Sequence, residues 1–71
     1  MEKFVPGTQI PKPEVVLCGE DGNAFAIMGR VTKALRQVGV PKNIIDTYLV
    51  ECRRGDYDHL LQTTMKYVDA M

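Results

Sequence analysis

Apolar residues recur at Ala24, Ile27, Met28, Val31, Ala34, Leu35 and Val38, and this spacing of three and four lines one face of an α-helix. Asn23 precedes the run as an N-cap whose side-chain oxygen can accept from a backbone N–H further on, and Gly39 stops it. A second period follows Pro41, which suits a first helical turn, with Ile44, Ile45, Tyr48, Leu49 and Cys52 on one face and Gly55 as its end. A third starts at the N-cap Asp56, where Asp58 favours the positive end of the helix dipole. Its expected inward face is Tyr57, Leu60, Leu61, Thr64, Met65 and Val68. Gly39-Val40 and Gly55-Asp56 leave room only for tight corners, so consecutive helices are expected to be neighbours.

Before the helices the pattern changes. Glu14-Val15-Val16-Leu17-Cys18 is a short β-branched run closed by Gly19, and it reads as a strand largely buried on both faces. Its backbone groups need partners, to be found in the segment 4–10, in a second strand after an Asp21-Gly22 turn, or in another chain. A hairpin through Asp21-Gly22 with residues 23–28 as its second strand competes with the helix start. The helix is the better fit, because one period carries through to Val38. Pro6, Pro11 and Pro13, together with Gly7, exclude a helix from residues 1–13, which are expected to form an extended or disordered arm with Phe4, Val5 and Ile10 as its anchors. The expected fold is α+β and α-rich: one short strand or small β-hairpin, then a compact bundle of three helices, in a single domain over residues 14–69.

Length and charge narrow the function. A chain of 71 residues buries only roughly 60% of its unfolded surface, so self-association is a reasonable aid to stability. Nine basic residues balance nine acidic ones, leaving no overall field to hold nucleic acid or an anionic membrane. No apolar stretch approaches the roughly 20 residues of a membrane span, and the start of the chain has no apolar signal segment, so the expected location is cytoplasmic. Cys18 and Cys52 have no close Cys or His partner and read as buried thiols of a reducing compartment. His59 is the only histidine and Ser is absent; with Asp56 and Asp58 explained by capping, no catalytic residue, metal or cofactor is expected.

Three features carry candidate chemistry. The loop Gly19-Glu20-Asp21-Gly22-Asn23 has the glycines and helix start of a phosphate site but lacks the Lys-Ser/Thr of a P-loop, and its acids would repel a phosphate. Asp21, Gly22 and Asn23 are its candidate ligand residues, with a turn and cap as the structural alternative. Arg30, Lys33 and Arg36 fall opposite the apolar face of the first helix as a basic stripe, either solvated or a dock for an acidic partner or a phosphate backbone. Leu35, Gly39 and Ile45 loosely echo a helix-turn-helix, although Asp46 and Glu51 spoil the second helix as a reader of DNA. Phe25 and Val50 lie off the inward faces, and Phe25 is the larger candidate contact.

The string Gly19-x-Asp21-Gly22-Asn23-Ala24-Phe25-x-Ile27-x-Gly29-Arg30, followed by Ala34-Leu35-Arg36 and by Gly55-Asp56-Tyr57-Asp58-x-Leu60-Leu61, resembles a group of small uncharacterised proteins of bacteria and their phages. The resemblance covers roughly residues 14–68 and implies a bacterial or phage setting and an accessory role; it supplies no catalytic residue, cofactor or named partner. The expected function is a small non-catalytic interaction module contacting an unidentified protein or a second copy of itself through Phe25, Arg30, Lys33 and Arg36. The alternatives are a nucleic-acid-binding regulator using the basic helix face and a binder of a small phosphorylated ligand at the 19–24 loop.

Overall fold

The computed structural model describes residues 3–16 and 24–70. Its elements are β1 (Glu14–Val15), α1 (Ala24–Gln37), α2 (Lys42–Cys52), α3 (Tyr57–Tyr67) and β2 (Asp69–Ala70), an α-rich α+β fold in which the helices separate the strands of one small parallel sheet. Residues 24–28, for which a second strand was the competing expectation, are helical.

The helix ends follow from local chemistry. At the end of α1 the N–H of Val40 donates to Leu35 O and that of Gly39 to Arg36 O, the paired bonds of a Schellman motif. The motif requires a left-handed residue, and Gly39 supplies it with φ 88°. Val40 and Leu35 are both buried, so the corner also closes an apolar contact. Pro41 stands at the N-cap of α2 without a side-chain cap, whereas Asp56 caps α3 by accepting from the backbone N–H of His59 at 2.9 Å.

Ile27, Val31 and Leu35 of α1 meet Ile45, Tyr48 and Cys52 of α2 and Leu60 and Tyr67 of α3 in one core. At its centre the Tyr48 hydroxyl lies 2.8 Å from Thr64 Oγ1, and the ring meets Tyr67 edge-on at a centroid distance of 5.1 Å. The inward face of α3 is Leu60, Thr63, Thr64 and Tyr67; Tyr57 and Met65, expected inside, are exposed. Thr64, expected inside, is fully buried with its hydroxyl paired to Tyr48, while Thr63 and Tyr67 are buried without having been expected there.

Two expectations before the helices are corrected. Residues 3–13 are a folded clip: Val5-Pro6-Gly7-Thr8 makes a type II turn with Gly7 at φ 77° and the Thr8 N–H donating to Val5 O at 3.0 Å. Beyond the turn the Val5 N–H donates to Ile10 O and the Lys12 N–H to Lys3 O, with Phe4 bridging Pro11 in antiparallel sense. Val5 enters the core at 0% exposure, and Gly7 passes against Ile44 of α2, whose Cδ1 would lie 3.0 Å from an added Cβ. Within the chain, Glu14–Val15 pairs with a segment that the sequence did not suggest. Glu14 and Val15 run parallel to Asp69 and Ala70, and the Asp69 N–H donates to Pro13 O at 2.9 Å. Val15 is buried while Glu14 and Val16 are exposed, so the strand is one-sided. Leu17 and Cys18 lie outside the described residues.

Truncating Val5 tests the clip. Val5→Ala should cost about 2 kcal/mol, from two buried methyl groups and the space they leave, and a urea midpoint equal to that of the wild type would mean that the segment is not part of the core. A second prediction concerns alkaline pH. Burial pushes the Tyr48 phenol above its ordinary 10.0 and the Cys52 thiol above its ordinary 9.0, against opposing hydrogen bonds from Thr64 to both and from Tyr48 to Cys52. The unfolded chain therefore releases these protons first as pH rises, so their contribution is complete below about pH 9 and is lost progressively above it. The urea midpoint should fall between about pH 9 and pH 11, and a flat profile across that window would contradict the buried, protonated pair.

Candidate functional site

On α1, Phe25, Gly29, Lys33 and Arg36 fall within an arc of about 80° when placed at 100° per residue, so they form one stripe. The stripe borders an open groove of about 530 Å³ between α1 and the C-terminal half of α2, with Met28 and Leu49 contributing apolar surface and Arg53 facing Lys33 and Arg36 from the other side. A second concavity of about 350 Å³ continues past Phe25 to the start of α3, where Asp56, Tyr57 and Leu60 line it. Phe25, Met28 and Arg53 belong to both hollows. Phe25 is 77% exposed, which sets a large aromatic ring between the two.

The far wall is fixed by the α2–α3 corner. His59 Nε2 lies 3.0 Å from Glu51 O and 3.2 Å from Glu51 Oε1, while the other carboxylate oxygen of Glu51 reaches Arg54 at 3.5 Å. Glu51 is thus engaged by His59 and Arg54 rather than by the neighbouring Arg53. Among the described residues, Lys33, Arg36 and Arg53 form no salt bridge. Gly55 makes the corner possible, since a Cβ there would come within 2.7 Å of His59 Cβ and Cγ.

The residues singled out in the sequence separate into groups. Phe25, Lys33 and Arg36 are brought together on the groove, whereas Arg30 turns toward the sheet, its Nη1 3.5 Å from Val16 O. Asp21, Gly22 and Asn23 lie outside the described residues. Val50 is exposed away from both hollows. Leu49, Arg53 and Tyr57 belong to the site without having been expected there, because they arrive from other elements. Gly29 was visible only as part of a motif string; its position inside a helix, one turn from Phe25 and one from Lys33, was the available signal.

A scan of protein-family models, a search of curated proteins and a search of solved structures each found no match. The chemistry of the groove therefore stands on its own residues. Cys52 reaches the smaller hollow, but burial raises its thiol above the ordinary range and disfavours the reactive thiolate. His59 is held by Glu51. Among the described residues, no three His, Cys, Asp or Glu side chains gather as a metal site would require, and no helix is long and apolar enough to cross a membrane. What the groove offers is apolar surface, one exposed aromatic ring and three cations.

Gly29 and Gly55 make a paired test. None of the described residues lies within 4 Å of a Cβ built on Gly29, so Gly29→Ala should stabilise the free domain by about 1 kcal/mol through helix propensity alone. Gly55→Ala should destabilise it by about 1–3 kcal/mol, because the clash is with atoms close to the His59 backbone. Urea unfolding of both variants checks the opposite signs; destabilisation by Gly29→Ala would show that the glycine serves the domain's own packing.

Proposed function

We propose that this chain is a small non-catalytic interaction module and that its contact face is the groove between α1 and α2 with Phe25 at its lip. One observation carries the reading: Phe25, 77% exposed, stands at the junction of two adjoining hollows floored by Met28 and walled by Leu49 and Leu60. Exposed aromatic side chains over apolar hollows are the anchors from which protein contacts draw most of their energy. The chain's obvious reactive groups support a non-catalytic role, since His59 is committed to Glu51 and Cys52 is held protonated by burial. A bacterial or phage setting is proposed with it on the motif resemblance, and a cytoplasmic one on two cysteines that have no close Cys or His partner in the sequence.

A nucleic-acid role has one observation in its favour, the three cations without carboxylate partners, but the apolar floor of the groove offers nothing to a phosphate backbone. To test the interaction reading, displayed peptides of unconstrained sequence would be selected on the wild-type protein after depletion on Phe25→Ala. Selected peptides should shift the amide resonances of residues 24–37 and 49–57 and should lose at least about tenfold in affinity on Phe25→Ala. Peptides that map elsewhere, that bind Phe25→Ala equally, or that fail to emerge would each overturn it.

A further inference from the structure

We infer that the groove receives an acidic amphipathic helix of a partner protein, laid along α1 and closest to it over Gly29. The inference rests on the interaction-module reading and adds the partner's charge and shape.

Charge comes first. Among the described residues, Lys33, Arg36 and Arg53 line the groove and no acidic residue does, Asp56 standing only in the adjoining hollow, although the whole chain balances nine basic against nine acidic residues. Positive charge is thus gathered at one place on a neutral protein, and Glu51, two residues before Arg53, is occupied by His59 and Arg54. A second copy docked through the same face would bring like against like, because a two-fold contact sets the patch on itself and α1 contains no acidic residue to answer Lys33 and Arg36. The occupant has to bring the negative charge. It also has to bring apolar side chains, for Phe25, Met28 and Leu49.

Shape follows from the helices that bound the groove. From Phe25 to Arg36 the stripe runs about 16 Å, the length of three helical turns, and a hollow between two helices is the seat that the apolar face of a third one fits. Gly29 sits on this stripe one turn from Phe25 and leaves the α1 backbone bare. Among the described residues, neither a turn nor a neighbour needs the missing side chain, and α1 is helical on both sides of it. Bare helix backbone lets another chain come closer than any side chain would allow. Phe25 then supplies the anchor at one end, and Lys33, Arg36 and Arg53 supply the cations along the other.

The test displays random surface residues on a helical scaffold and selects on the wild-type protein. Recovered helices should be rich in Glu and Asp around a Leu, Phe or Met stripe at spacings of three and four. Individual recovered helices should bind the triple variant Lys33→Glu, Arg36→Glu, Arg53→Glu at least about tenfold more weakly, the more so at low salt. Gly29→Leu, which meets no atom of its own fold at Cβ, should keep or raise the unfolding midpoint while weakening these helices at least about tenfold. Recovery of basic or neutral helices, binding indifferent to Gly29→Leu, or failure of helices where unconstrained peptides succeed would overturn the inference and leave the interaction reading standing. Competition by a random-sequence DNA duplex would overturn it in favour of nucleic acid. A dimer seen by sedimentation and abolished by Gly29→Leu would overturn it in favour of a second copy.

Discussion

Burying the phenol of Tyr48 sets a condition that α2 and α3 have to meet together. The side chain is fully enclosed, so its hydroxyl needs a partner inside the protein, and Thr64 Oγ1 at 2.8 Å is that partner. Meeting this condition fixes the rotation of α3: Thr63, Thr64 and Tyr67 turn inward, Tyr67 meets the Tyr48 ring edge-on, and Met65 faces out. The same rotation delivers buried Val68 and then β2 alongside β1, and places the Met65 carbonyl where Lys12 Nζ donates to it at 3.1 Å. At its other end α3 presents Tyr57 to the hollow beside Phe25. One buried hydroxyl thus links the core, the sheet and the rim of the groove.

The helices were legible because apolar spacing and end signals agreed. Seven positions from Ala24 to Val38 share one period, and Gly39 and Asp56 each do at the helix ends what their residue types suggest. The phase of α3 was harder: Leu60, Thr64 and Val68 were placed inside correctly, but Tyr57 and Met65 stood where Thr63 and Tyr67 belong, because spacing along one helix does not show where the Tyr48 ring of another will lie. The first segment misled for a different reason. Its prolines were read as breakers, whereas Pro6 with Gly7 is also the signature of a type II turn, and the turn is what lets Val5 double back into the core. The partner of β1 was beyond reach: a two-residue strand has no alternation to show, and β2 comes from the far side of all three helices.

The site was legible where it lay on one element and hidden where it did not. Phe25, Lys33 and Arg36 stand on one helix, and helical geometry alone groups them. Arg30 falls about 60° beyond Lys33 around the helix, on the side where α1 lies beside β1 and the Val16 carbonyl is within its reach. Leu49, Arg53 and Tyr57 join only through the packing of α1 on α2 and α3, and a pattern along the chain does not encode that meeting. Glu51 shows the same limit in its charges: in sequence it stands two residues from Arg53, yet in the fold its carboxylate serves His59 and Arg54.

The described glycines separate structural need from what is left over. Gly7 and Gly39 hold positive φ in a turn and a helix cap, and Gly55 lets the α2–α3 corner close against His59. Each of these returns something to the fold. Gly29 does not: it lies inside a helix with ordinary helical backbone and open space where a side chain would go. Phe25, one turn away, is an exposed aromatic ring outside the hydrophobic core of the described residues. In a domain of 71 residues, where roughly 40% of the unfolded surface remains exposed, two neighbouring departures from local optimum weigh appreciably on stability. Departures of this kind concentrate where a protein meets something other than itself. Both fall on the one groove whose cations also have no carboxylate partner among the described residues, and the proposed contact face rests on this coincidence of backbone, aromatic and charge.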